Sequence, residues 1–238
     1  MTPAARTTPA TIPPPPADPR LAGLLPGRFI VLDGPDGSGK STQLRRLVAL
    51  AQHAGLDPCE VREPGGTDLG EEIRRLLLSH AREDIAVRAE MLLYMASRAQ
   101  LVERRILPAL AERRPVLADR FVSSTLAYQG AAGGLPEEDI RAVARVVTQQ
   151  AAPDAVVIFD VDVHTAMARM NPLLRGGSLD RMESKGAAFH QRVREGYLRQ
   201  AEQDPAYLVI DASRPEDEVW QDFTRRLADH LERLPPRS

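Results

Sequence analysis

Apolar residues recur along this chain in two alternating rhythms. Short, mostly uninterrupted runs at Phe29-Ile30-Val31-Leu32, Pro58-Cys59-Glu60-Val61, Pro115-Val116-Leu117-Ala118, Ala155-Val156-Val157-Ile158-Phe159 and Tyr207-Leu208-Val209-Ile210 predict five short strands. Between them the apolar positions fall at helical spacing. Leu44, Leu47, Val48, Leu50 and Ala51 predict a helix that starts after Ser41 and ends at Ala54-Gly55. Ile73, Leu76 and Leu77 mark a helix over 69–79, and Met91, Leu92, Tyr94, Met95, Leu101 and Val102 a longer one over 85–112, bent at Pro108. Further helices are expected from Pro136-Glu137-Glu138 to about Gln150, from beyond Asp160 to Arg169, over 184–204, and from Pro215 to about Arg233. Residues 121–130 read as a short helix or a loop. Strands alternating with helices predict an α/β fold: a doubly wound, five-stranded, mainly parallel sheet with helices on both faces.

Composition changes this picture in one place. Residues 1–27 hold eight prolines, including Pro13 to Pro16, with Thr and Ala between them. Such a segment favours polyproline II over helix or sheet, and it is read as a disordered tail outside the fold. It lacks the apolar core of a secretory signal. The remaining 28–234 is long enough for one large domain with an ample core. A net charge of −2 offers no overall basic field, so neither nucleic acid nor a membrane surface is an expected partner. Apolar runs of the roughly 20 residues needed for a membrane span are missing. Cys59 is the single cysteine, which suits a reducing cytoplasm, and the 5 histidines show no metal-ligand spacing.

Candidate chemistry begins directly after the first run. Gly34-Pro35-Asp36-Gly37-Ser38-Gly39-Lys40-Ser41 fits G-x-x-x-x-G-K-[ST], placed between a predicted strand and a predicted helix. Gly37 and Gly39 let backbone N–H groups approach phosphate oxygens, and the helix N-terminus adds its positive dipole end. Lys40 is expected on the β- and γ-phosphates and the Ser41 hydroxyl on Mg²⁺. Gly34 through Thr42 are therefore the candidate ATP site of a P-loop NTPase-type three-layer fold.

Other polar groups gather at the predicted carboxyl edge of the sheet, where ligands bind in open parallel sheets. Arg62-Glu63-Pro64-Gly65-Gly66-Thr67 follows the second strand, and Asp119-Arg120 closes the third, well placed for a Mg²⁺ shell and a phosphate. Tyr94 and Arg98 share a helix face at i and i+4, a face that either packs into the core or clamps a nucleobase. Asn171 to Leu179 reads as a flexible loop flanked and seeded by Arg169, Arg175 and Arg181, the composition of a phosphoryl-transfer lid.

Taken in order, Arg62-Glu63-Pro64-Gly65-Gly66-Thr67, Ala96-Ser97-Arg98, Asp119-Arg120 with Ser124 to Gly130 behind it, and Leu179-Asp180-Arg181-Met182-Glu183 resemble the thymidylate kinases of the bacterial branch, from about Phe29 to the last helix. The resemblance implies a nucleoside monophosphate kinase domain over 28–234, a lid at about 169–184, and phosphoryl transfer from ATP to dTMP in dTTP synthesis. It further implies that Tyr94 stacks on thymine and that Arg98 bonds the base O4. Arg62 and Arg120 hold the acceptor 5′-phosphate, and Asp36 lies near the sugar 3′-hydroxyl. Thr125 and Gln129 contact the base, Tyr128 packs under the deoxyribose, and Ser41 and Asp119 organise Mg²⁺. The family is typically homodimeric. Some members carry a catalytic arginine inside the P-loop. Here Pro35-Asp36-Gly37-Ser38 holds no basic residue, so the chain resembles the type with the arginine in the lid, and Arg169 and Arg181 join Lys40 and Arg120 as catalytic candidates. The lid is a few residues longer than the commoner pattern, and Phe121 stands where Tyr or His is usual.

A phosphate acceptor is already ionised near neutral pH, so the implied reaction needs no general base. Its difficulty is bringing two anions together, which Lys40, Mg²⁺ and the arginines would relieve. The alternatives are a kinase for another nucleoside monophosphate or for a deoxynucleoside, and a GTPase-like switch. The last generally reads guanine with Asn-Lys-x-Asp, whereas the single Asn of this chain, Asn171, precedes Pro172.

Overall fold

The computed structural model describes residues 15–79, 84–170 and 180–235. The five apolar runs form strands β1 (Phe29–Asp33), β2 (Cys59–Arg62), β3 (Val116–Asp119), β4 (Ala155–Asp160) and β5 (Tyr207–Asp211). They make one parallel sheet in the order β2-β3-β1-β4-β5. β1 lies at the centre and all five of its residues are buried. Successive strand side chains point to opposite faces, so β1 feeds two cores. Ile30 and Leu32 pack with Leu44, Leu47 and Ala51 of the helix Lys40–His53 and with Trp220, Phe223 and Leu227 of Glu216–Glu232. Phe29 and Val31 pack on the other face with Leu101, Val102 and Ile106, and with Val193 and Tyr197 of the helix Ala187–Gln203. Register then sets the edge that matters: Arg62 lies opposite Asp119, and Asp119 opposite Leu32, so the carboxyl ends of β2, β3 and β1 open on one rim.

The long predicted helix is one continuous rod with a changed pitch. Val87–Leu101 is α-helical, Val102–Ile106 is a π-helical segment, and Leu107–Ala111 is α-helical again. Pro108 has no N–H to give to the carbonyl four residues back, and the ladder slips just before it, the Leu107 N–H bonding to Val102 O. Residues 121–130 resolve in the same way into Val122–Thr125 and a π-helical Leu126–Ala132. Among the described residues the remaining helices are Leu21–Leu24, Asp68–Leu78, Glu137–Thr148 and Val163–Arg169. Among the described residues no helix is long and apolar enough to cross a membrane.

The reading of 1–27 as a tail outside the fold needs correction over its second half. Residues 1–14 lie outside the described residues, but 15–27 pack against the C-terminal helix. Leu21 and Leu25 are fully buried in the same core as Trp220, and the Trp220 indole donates to Pro15 O at 3.1 Å. Burying two leucines contributes roughly 1.5–3 kcal/mol each, which outweighs the poor helix propensity of a proline-rich segment. Arg28 closes the join, pairing with Asp154 at 3.0 Å and donating to Pro235 O at 2.9 Å.

Candidate active site

β1 ends at Asp33 and the chain turns through Gly34–Gly39 into the helix Lys40–His53. Three positions there require glycine, Gly34 among them, with φ 133° and the place of a Cβ 2.5 Å from Phe159 O. Gly39 caps the helix with φ 85°, and Gly37 has φ 77° with the place of a Cβ only 2.4 Å from Ala166 O. The result is a loop whose backbone N–H groups and helix N-terminus face an open cavity of about 520 Å³ along the sheet rim. Asp36, Gly37, Gly39, Lys40, Ser41 and Thr42 line this cavity, while Ser38, Gly39 and Thr42 line a neighbouring recess. Pro35 and Gly34 act through their backbones: Pro35 O accepts from Ser38 N at 3.3 Å, and Gly34 O accepts from Arg120 at 3.3 Å.

Arg120 is the centre of the charge arrangement. It follows β3 with φ 72°, a left-handed conformation rare for a side-chain-bearing residue and held here by many partners. Nη1 donates to Ser124 Oγ and Tyr197 OH at 3.0 Å and to Asp33 Oδ1 at 3.3 Å. Nη2 donates to Asp36 and, at 3.4 Å, to Tyr128 OH, and the guanidinium carbon lies 5.2 Å from the Tyr128 ring centre. Tyr128 OH in turn donates to Asp36 Oδ2 at 2.6 Å, and Lys40 Nζ lies 3.8 Å from Asp36 Oδ1. Burial pushes the Asp36 carboxyl up, but Arg120 and Lys40 prevail and hold it well below the usual carboxylate range. Burial and the Arg120 charge push the Lys40 amine down, and neighbouring carboxylates oppose them. Asp33 is a member of this network that motif reasoning missed. It is fully buried and accepts from Ser123 Oγ at 2.6 Å, Ser124 Oγ at 2.8 Å and Tyr197 OH at 2.6 Å, so it fixes Arg120 from below. An acid closing a buried strand was its only signal.

Ser41 Oγ donates to Asp119 Oδ2 at 3.1 Å, whereas Asp119 Oδ1 is buried without a hydrogen-bond partner. A hydroxyl, a carboxylate and an orphaned carboxylate oxygen beside a phosphate loop are the hard-oxygen donors Mg²⁺ takes. No cluster of three or more His, Cys, Asp or Glu able to hold a metal occurs among the described residues.

Tyr94, Thr125, Tyr128 and Gln129 line the same cavity. Burial raises the Tyr94 phenol well above its ordinary value, so it stays neutral and presents a ring. Arg62 lines the same cavity, half exposed, and pairs with Glu71 at 3.1 Å. Arg98 is placed differently from its neighbours. It is 1% exposed and lies behind the cavity wall, where Nε donates to Glu63 at 2.8 and 3.1 Å, and Nη2 donates to Phe121 O and Thr125 Oγ1 at 3.0 Å. Arg74, which the sequence reading passed over, does line the cavity and donates to Pro64 O at 2.9 Å.

The arginines expected in a lid divide. Arg169 lines both the cavity and the recess, donating to Ala212 O at 3.0 Å. Arg181 is turned to the helices Asp68–Leu78 and Val87–Leu101: Nε donates to Leu77 O at 2.8 Å and Nη2 pairs with buried Glu90. Arg175 lies outside the described residues.

The site thus offers a phosphate loop, an arginine-bound carboxylate and an aromatic shelf on one cavity. A family model described as thymidylate kinase matches residues 32–223. The chain belongs to the thymidylate kinase family. Over 206 residues it is 42% identical to the thymidylate kinase of Symbiobacterium thermophilum, covering 86% of this chain and 94% of that protein. Over 205 residues it is 45% identical to that of Deinococcus radiodurans, covering 84% and 98%. Among solved structures, thymidylate kinase from Ehrlichia chaffeensis matches with a TM-score of 0.65 at 31% identity, over 87% of this chain and 96% of that one. As a thymidylate kinase the chain is a nucleoside monophosphate kinase, a phosphotransferase that phosphorylates dTMP with ATP.

Proposed function

We propose that the cavity brings the γ-phosphoryl of ATP and the 5′-phosphate of dTMP together beside Asp36, giving ADP and dTDP for dTTP synthesis. One observation carries this assignment: Lys40 and Arg120, from different elements, converge on Asp36 in a cavity that runs from the P-loop to Tyr94. Lys40 and Arg120 set two cations beside the place where the phosphates meet, with Asp36 and Asp33 holding them there, and those cations oppose the repulsion between two phosphorylated substrates. Lys40 and the P-loop N–H groups, from Gly34 to Thr42, hold the ATP phosphates. Arg120, with Arg62, holds the acceptor phosphate, and Asp36 keeps Arg120 and Lys40 in register near the sugar 3′-hydroxyl. Ser41 and Asp119 would hold Mg²⁺, which when bound neutralises charge on the phosphates. Tyr94 stacks on the base, Thr125 and Gln129 contact it, and Tyr128 supports the sugar.

Of Arg169 and Arg181, Arg169 is the better placed to meet the transferring phosphoryl, since it already lines the cavity. Arg181 and Arg98 reach ligand only by releasing Glu90 and by turning from Glu63 respectively. A homodimer is supported by Leu92 and Val146, exposed at 51% and 76% on the packed helices Val87–Leu101 and Glu137–Thr148. The single cysteine supports a cytoplasmic setting. The test is a coupled assay of Mg²⁺-dependent ADP formation across dTMP, dCMP, dAMP and dGMP. Turnover is expected with dTMP far above the others, and a preference for any other acceptor overturns the assignment.

A further inference from the structure

We propose that Glu90 is a positioning residue that sets the pyrimidine preference of the site by locking the side-chain amide of Gln129, an inference that rests on the dTMP kinase reading above. Glu90 is 2% exposed and sits one helical turn before Tyr94 on the same helix. Its Oε1 accepts from Gln129 Nε2 at 2.7 Å, and its Oε2 pairs with Arg181. A carboxylate only accepts hydrogen bonds, so it admits one orientation of the neighbouring amide: NH₂ inward, C=O outward. Gln129 is itself 1% exposed yet lines the cavity alongside Tyr94 and Thr125. Glu90 takes one of the two Nε2 protons, and the orientation so fixed presents Oε1 as the acceptor that Gln129 offers a ligand.

The consequence is a hydrogen-bond polarity. A pyrimidine stacked on Tyr94 meets an acceptor at Gln129. Thymine and uracil offer a donor at N3, whereas the cytosine N3 is an acceptor. Two acceptors facing one another in a buried site leave both unpaired, and a site built around one hydrogen bond rejects the base that cannot make it. Glu90 never needs to touch the base. Arg181 on its other oxygen ties the same carboxylate to the helix Asp68–Leu78 and leaves it little freedom to turn away.

The test is kcat/KM for dTMP, dUMP and dCMP in the wild type, Glu90→Gln, Gln129→Leu and the double variant. Glutamine at 90 can donate as well as accept, which frees the Gln129 amide to flip. The dTMP-over-dCMP preference is expected to fall about tenfold or more in Glu90→Gln, and no further in the double variant than in Gln129→Leu. The dTMP-over-dUMP ratio turns on the 5-methyl group and should stay within about twofold, whereas general loosening would blunt both ratios. An unchanged dTMP-over-dCMP ratio in Glu90→Gln, a parallel fall against dUMP, or additive singles overturns the proposal while leaving the kinase assignment intact. A wild type that prefers another acceptor overturns the kinase assignment, and the proposal with it. The wild type supplies an independent readout if Glu90→Gln does not fold. The Gln129 side-chain amide protons, assigned by NMR against Gln129→Leu, should be protected from exchange before and after dTMP binds, and rapid exchange overturns the proposal.

Discussion

Glu63→Gln separates the buried ion pair from its surroundings without opening a cavity. The Arg98 guanidinium is 1% exposed and directs Nε and Nη2 onto Glu63 at 2.5 to 3.1 Å. Removing one partner of such a pair costs about 3–5 kcal/mol, because a charge is left in a poorly solvating site. Glutamine keeps the volume and one carbonyl acceptor, and a hydrogen bond to a charged group returns about 1.5–3 kcal/mol. Phe121 O and Thr125 Oγ1 also continue to accept from Arg98. The expected net loss is about 2 kcal/mol, which at 2–4 °C per kcal/mol for a domain of this size lowers Tm by about 4–8 °C. The assay is thermal and urea unfolding of the wild type, Glu63→Gln, Arg98→Met and the double variant. If the pair is the cause, the double variant loses well under the sum of the singles, because no orphaned charge remains. A Glu63→Gln protein melting within about 1 °C of wild type, or strictly additive singles, refutes the reasoning.

Lys40→Ala should lower kcat by about two to three orders of magnitude while circular dichroism stays native, since the proposed function sets Lys40 on the phosphates and its one ion pair among the described residues is a long contact to Asp36. Asp36 has a folded value held below its ordinary 3.8 by Arg120 and Lys40, against burial. Its contribution to stability is therefore present above that pH and lost as pH falls through the folded value, so Asp36→Asn should flatten the acid limb of a stability-against-pH curve measured by urea unfolding. Leu21→Ala should destabilise by about 2–5 kcal/mol, readable as a fall in the urea midpoint, because Leu21 is fully buried against the C-terminal helix. A neutral Leu21→Ala would restore the reading of that segment as a tail.

What the sequence determined by itself is what depends on neighbours in the chain. A strand needs a few consecutive apolar residues, and all five runs become strands of one parallel sheet. A phosphate loop needs glycines and a lysine at fixed spacing, and Gly37, Gly39, Lys40 and Ser41 stand on the cavity as that spacing required. The larger set of motifs matched the family because order and spacing along a chain are sequence properties. The pitch change before Pro108 was legible only as a bend, since a proline announces a lost hydrogen bond but not how the ladder absorbs it.

Tertiary structure decided the partners. Arg98 finds Glu63 35 residues away and Arg181 finds Glu90 91 residues away. Nothing local in either segment says whether an arginine faces the ligand or a buried carboxylate, because the cost of burying a charge is settled by whatever long-range partner the fold delivers. Asp33 is the same case: an acid at a strand end by sequence, the anchor of Arg120 by packing. Leu21 and Leu25 sit among prolines that mark disorder by composition, and they become core only because the C-terminal helix, some 200 residues later, presents Trp220 and Leu227 to cover them. Burial is a property of two surfaces brought together in space, and a sequence shows each of them alone.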